Sequence, residues 1–203
     1  MSMSQADLVQ SLIDQLADSA SVFENEDFES FLDAAAADLS QYRPRLMNTS
    51  LTLLGDTELY TAPSDYISFH SSSWGKWERR RRKVWDENYP SYLPKIYFIE
   101  DAGEKKLFLS PAPSAEQISD FGSLYQFRYF ATHIISTDGM KTSILNSDRH
   151  LLLLRAMAEA AKTMAMRNIS KPVRLRDGLS NGPRNGTPAA LYKQLMDEFR
   201  AQV

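Results

Sequence analysis

The spacing of apolar residues changes twice along this chain, and those two changes restrict it to an α+β fold. Near the start, Leu8, Val9, Leu12, Ile13 and Leu16 recur at the interval of one helix face. Residues 49 to 135 are instead rich in β-branched and aromatic side chains broken by turn residues, the composition of strands. From about residue 148 the helical interval returns. A helical bundle packed with an antiparallel β-sheet from the middle of the chain is expected, as a single domain over 1–203.

Residues 1–42 read as a helical hairpin. Ser4 and Asp7 form a capping box for a first helix from about 4 to 19. Asn25 is the expected cap of the second, with Glu26 and Asp27 in its first turn and Phe28, Phe31, Leu32, Ala35 and Leu39 on one face. Its end is expected before Tyr42, because the residue preceding Pro44 is pushed out of helical geometry.

The β region, 45–136, carries a charged loop at 72–92. Two hairpins are expected in it: "TSLTLL" and "TELYTA" around Gly55-Asp56, and "KIYFIE" and "KKLFLS" around "DAGE". The longest strand candidate is 123–135, where Gln126 and Arg128 alternate with Tyr125, Phe127 and Tyr129, which leaves one apolar face. A mainly antiparallel sheet of about four to six strands follows.

A core helix at 147–169 is capped by Ser147 or Asp148 and shows a single polar stripe of Arg155, Glu159 and Lys162. Leu151, Leu153, Leu154, Met157, Ala160, Ala161 and Met164 cover most of the rest, so the helix needs partners on more than one side. The N-terminal helices with the sheet, or a second subunit, would each supply them. After a basic Gly/Pro arm at 170–187, Thr187 caps and Pro188 opens a last helix at 187–202, with Leu191, Tyr192, Leu195, Met196 and Phe199 as its buried stripe.

Charge is divided unevenly. Residues 1–40 hold nine Asp/Glu and no Lys or Arg, whereas residues 149–203 hold ten Lys/Arg and four Asp/Glu. Opposite-signed ends suit contacts between copies, and they equally suit two solvated helical surfaces. There is no cysteine, which excludes disulfides and thiolate metal sites. No run reaches the ~18 apolar residues of a membrane helix, and "MSMSQADLVQ" lacks the regions of a signal peptide, so a soluble intracellular chain with no membrane contact is expected.

Chemistry is sparse. His70, His133 and His150 are far apart, and none has a second ligand at a metal-binding interval. "HSSSWG" lacks the glycine that a serine nucleophile elbow needs before its central serine. Gly178, Gly182 and Gly186 precede a helix but no Gly-Lys-Ser/Thr follows, and Pro188 removes a donor that a phosphate loop uses. No catalytic residue, cofactor or metal is expected.

What remains is "WGKWERRRRKVWDENYP", residues 74–90, whose first twelve residues carry a net +5. Trp74, Trp77, Arg81 and Trp85 share a face if the segment is helical, and Trp77, Arg79, Arg81, Lys83 and Trp85 share one if it is extended; periodicity does not decide. Solvated loop charge, with the tryptophans shielding the sheet, is the plain reading. A run this short, opposed by Asp86, Glu87 and an acidic N-terminus, is weak support for autonomous DNA binding.

In order along the chain, "YTAPSDYISFHSSSW", "YLPKIYFIE", "LFLSPAPSAEQISDFGSLYQFRYFATHII" and "NSDRHLLLLRAMAEAAKTMA" resemble tailed-phage head-tail adaptor proteins, the connector subunits of the neck. The likeness covers about 45–165 and the final amphipathic helix. In that family a tyrosine strand leads into a Pro-x-Asp turn, here Pro63 and Asp65, and a Pro-x-Pro element, here Pro111 and Pro113, precedes an aromatic strand.

The resemblance implies a structural virion protein of the neck, made in the host cytoplasm, without catalytic residues. Its partners would be the portal protein, the downstream neck or tail protein, passing genomic DNA contacted non-specifically, and itself in a ring of about twelve copies when docked on the portal, with a monomer in isolation compatible with that role. A tail-completion or stopper protein is the nearest alternative, and a nucleic-acid-binding regulator the alternative from another class. Under the adaptor reading, candidate partner or DNA-channel contacts are Trp77, Arg79, Arg80, Arg81, Arg82 and Lys83, with Lys171, Arg174, Arg176 and Arg184 on the basic arm.

Overall fold

A computed structural model of the protein describes residues 3–86, 89–90, 92–168 and 187–203. The chain divides into two compact units: residues 1–44 with 133–203, and residues 45–132. Among the described residues the fold is α+β, with six α-helices and two antiparallel three-stranded sheets.

The helical unit starts with α1 (Gln5–Leu16). Ser4 Oγ accepts from the Asp7 amide at 3.2 Å, and Asp7 Oδ2 accepts from the Ser4 amide at 3.0 Å, closing the expected capping box. The α-helix stops at Leu16, where Ala17 turns to φ +47°, and a 3₁₀ segment (Ala17–Val22) takes the place of its expected last turn.

Helix α2 (Asn25–Tyr42) is capped one residue earlier than expected: Glu24 is the cap, and its amide donates to Asp27 Oδ2 at 3.2 Å, while Asn25 is already helical. It also runs through Tyr42, because Arg43 absorbs the restriction that Pro44 imposes. Phe23, Phe28 and Phe31 meet edge to face with centroids 5.1 to 6.4 Å apart.

The remaining helices are α3 (Lys76–Arg81), α4 (Ala115–Phe121), α5 (Arg149–Asn168) and α6 (Pro188–Gln202). Helix α5 packs on α1, α2 and α6, which explains its wide apolar arc. Leu152, Ala156, Ala158, Ala160 and Ala161 are fully buried, each leucine contributing about 1.5–3 kcal/mol. The expected polar stripe is not solvated throughout: Arg155 is 7% exposed and lies between Asp38 of α2 and Glu159.

In α6 the Thr187 hydroxyl accepts from the Ala190 amide at 3.2 Å, as its sequence requires. The buried stripe is narrower than expected, with Met196 and Phe199 inside and Leu191 41% exposed.

The strand unit holds β1 (Arg45–Thr52), β2 (Leu59–Thr61), β3 (Tyr66–Ser72), β4 (Lys95–Asp101), β5 (Glu104–Ser110) and β6 (Leu124–Ala131). The six strands form two sheets, in the orders β1-β6-β3 and β2-β5-β4, in place of one. The β4–β5 hairpin forms as read: Asp101 pairs with Glu104 across Ala102 and Gly103, which both take positive φ, as a two-residue hairpin demands.

The hairpin expected around Gly55-Asp56 does not form. Strand β1 pairs with β6 over eight residues, and β2 pairs with β5. Leu53 is buried and its amide donates to Ser123 O, so the chain leaves the first sheet before the turn. Strand β6 stops at Ala131, four residues short of its expected end, where Thr132 donates to Asp65 O.

Alternation on β6 does hold. Tyr125, Phe127, Tyr129 and Ala131 are buried, while Gln126 and Arg128 point outward. The Pro63–Asp65 turn is a brace for this core: Asp65 Oδ1 accepts from the Tyr129 hydroxyl at 2.9 Å, and Arg45 lies 3.8 Å from the same carboxylate. Burial, then the hydrogen bond to Asp65, pushes the Tyr129 hydroxyl up to about 12.

Candidate interaction surface

The basic run is placed by one tryptophan and one glycine. Trp74 is buried, its ring meets Phe121 edge to face at 5.1 Å, and its Nε1 donates to Gly122 O at 2.9 Å. Gly75 then takes φ +67°, and a Cβ there would lie 2.6 Å from Leu93 Cδ2 and 3.1 Å from Phe121 Cδ2. Only glycine fits this close turn, which directs residues 76–81 into α3. The segment that sequence periodicity left open is thus a short helix followed by a turn. Arg79, Arg80 and Arg81 fall in its last turn, where the helix dipole favours cations.

The candidate residues separate into two groups. Arg79 donates to the Tyr89 hydroxyl at 3.1 Å, and Arg82 pairs with Asp120 at 3.1 Å, so both help fasten the segment to its own unit. Arg81 lies over the Trp77 ring at 5.9 Å and Lys83 over Trp85 at 5.4 Å, while those rings are 62% and 79% exposed. Arg80 is exposed too. Of the three tryptophans only Trp74 shields apolar core; Trp77 and Trp85 form a solvent-facing ridge with Arg80, Arg81 and Lys83. The other four candidates, Lys171, Arg174, Arg176 and Arg184, lie outside the described residues.

Two clefts flank α3. One, of about 490 Å³, has an apolar floor of Phe69, Trp74, Leu93, Ile96 and Tyr125 beneath Lys76, Arg79, Arg80 and Lys95. The other, of about 580 Å³, is lined by Asn48, Ser71, Ser72, Ser73, Lys76, Trp77, Arg80, Gln126, Phe127 and Arg128. Its strand residues were not read from sequence as a site. The alternation that turned Gln126 and Arg128 outward was visible, but their meeting with Asn48 and the serines depends on strand order. Within "HSSSWG", Ser72 braces the backbone, since its hydroxyl donates to Gln126 O at 2.8 Å and accepts from the Trp74 amide at 3.1 Å.

Each histidine has a hydrogen-bond partner within the protein. His133 Nε2 lies 2.8 Å from Arg43 O, His150 Nε2 is 3.0 Å from Gln202 Oε1, and His70 Nδ1 is 2.9 Å from Ser71 Oγ. Among the described residues no group of three or more His, Cys, Asp or Glu is arranged to hold a metal. No helix among them is long and apolar enough to cross a membrane.

The sequence model of the SU10 adaptor protein family matches residues 3–202, nearly the whole chain. No curated protein matches. A match of that extent takes in both the helical and the strand unit, and the chain therefore belongs to the SU10 adaptor protein family, as a phage head-tail adaptor and structural protein of the virion.

Proposed function

We propose that this adaptor docks on the portal ring in about twelve copies, passes the connection on to the next neck component and encloses part of the channel through which the genome leaves. The observation that carries the reading is the ridge on α3. Trp77 and Trp85 are large apolar rings left in solvent beside Arg80, Arg81 and Lys83, outside the two buried cores. Tryptophan and arginine are the side chains that dominate protein interfaces once water is excluded from them. A closed ring repeats the ridge around an axis, which multiplies weak individual contacts.

The test is binding of the purified chain to its portal ring by sedimentation, comparing the natural chain with a Lys83→Ser, Trp85→Ser double variant that leaves the neighbouring cleft intact. Loss of one interface anchor pair costs about 2 kcal/mol, so affinity should fall about 30-fold with the thermal unfolding midpoint unchanged. Unaltered portal binding refutes the role of the ridge. Unaltered portal binding combined with lost tail attachment would move the ridge to the tail side of the neck.

A further inference from the structure

We infer that the polar cleft beside α3 is a seat for the phosphodiester backbone of duplex DNA. This extends the proposed role, since it assigns a ligand to one surface of the subunit.

The cleft brings together residues from four segments of the strand unit. Asn48 on β1 and Ser71 on β3 are both cross-strand partners of Arg128 on β6, which sets the three in one row across the sheet. Paired residues in such a row have Cβ atoms about 5 Å apart on one face. Lys76 and Arg80, one turn apart on α3, close the cleft from the side. Three cations thus converge on a space of about 580 Å³ whose lining contains no Asp or Glu.

Of the lining, Ser71 and Ser72 are bonded within the fold, whereas the cations and side-chain amides are not. Among the described residues, the side chains of Lys76, Arg80 and Arg128 take part in no ion pair or hydrogen bond, and those of Asn48, Ser73 and Gln126 in no hydrogen bond. Several other cations of the chain are committed, among them Arg155 to Asp38 and Glu159, Arg82 to Asp120, and Lys106 to Asp101.

Cations mixed with serine, asparagine and glutamine donors are the set that contacts phosphate and sugar without reading bases. A carboxylate needs one or two of these donors and far less room. The cleft volume suits a nucleotide unit, and the exposed Trp77 ring on its wall adds an apolar face for the sugar. Contact through the backbone alone carries no sequence information, so binding should not depend on the duplex sequence.

The experiment is fluorescence anisotropy of a labelled mixed-sequence 20-base-pair duplex with the full chain, repeated across a salt series. Three phosphate contacts give a slope of log K against log salt of about −2.7, a loss of about 40-fold between 50 and 200 mM salt. Arg128→Gln should lower the slope to about −1.8, a loss of about 12-fold over the same range, and Asn48→Asp should weaken binding further by placing a carboxylate in the cleft. Lys105→Gln, which removes the same charge from an exposed site on β5, should leave the slope unchanged.

Equal effects of Arg128→Gln and Lys105→Gln would overturn the inference, as would absence of duplex binding at low salt. So would tighter binding of polyglutamate than of the duplex, which would make the cleft a site for acidic protein, or equally tight binding of deoxyadenosine monophosphate, which would make it a nucleotide pocket. Portal binding is read in a different assay, so failure of the cleft and failure of the adaptor role are told apart.

Discussion

Replacing Arg155 with methionine should destabilise the protein by about 2 kcal/mol. The guanidinium is almost fully buried, donates from Nε to Asp38 Oδ2 at 2.5 Å and from NH1 to Glu159 Oε2 at 2.8 Å, and so ties α5 to α2. Removing one partner of a buried pair costs about 3–5 kcal/mol when the remaining charge stays dry.

Here two features reduce that cost. The Asp38 side chain is 31% exposed and reaches water, and Lys162 still holds Glu159 at 2.6 Å. Methionine retains most of the aliphatic stem, which keeps the packing loss small. For a chain of this size, about 2 kcal/mol lowers the midpoint by about 4–8 °C. Differential scanning calorimetry at pH 7 measures it. A triple variant with Asp38→Asn and Glu159→Gln should regain most of the loss, because no uncompensated charge is left behind. An unchanged midpoint in Arg155→Met, or no recovery in the triple variant, refutes the reasoning.

Two further outcomes follow from local geometry. Gly75→Ala forces a Cβ against Leu93 and Phe121 at a positive φ and should cost about 1–3 kcal/mol in urea unfolding; a neutral result would mean that α3 is not held by this turn. Burial opposes ionisation of Glu159, but hydrogen bonds from Lys162 and Arg155 outweigh it and hold the carboxyl below its ordinary 4.5. The stability that Glu159 contributes is therefore complete above that value and lost as pH falls through the lower folded one, so Glu159→Gln should flatten the acid limb of the urea midpoint. An identical acid limb in variant and natural chain would contradict it.

Sequence was a good guide wherever structure is decided within a few residues. Ser4 with Asp7 and Thr187 with Pro188 mark helix starts because each cap bonds three residues ahead. "DAGE" closes a hairpin because Gly103 takes positive φ at no steric cost, while Ala102 is carried into it by the pairing of the flanking strands. Gly55-Asp56 carries a similar local signal and fails, since β1 and β2 find better partners in β6 and β5, more than forty residues away. The Ser114 and Gln117 capping box of α4 was legible, but a helix of seven residues leaves no periodicity to support it.

Arg155 read as part of a polar stripe, and composition does not distinguish a polar face in water from one aimed at an acid on a neighbouring helix. The cleft was invisible for a further reason. Asn48, Ser71, Arg80 and Arg128 are scattered along eighty residues, and only the β1-β6-β3 order brings them together. The basic run, by contrast, announced itself in sequence, and folding revealed which of its cations are tied down and which face solvent.

Electron microscopy of the purified chain mixed with its portal ring tests the adaptor role most directly. A closed collar of copies seated on the portal is expected, with Lys83 and Trp85 of each copy covered by portal surface. A portal that stays bare while the same chain binds the isolated tail would contradict it.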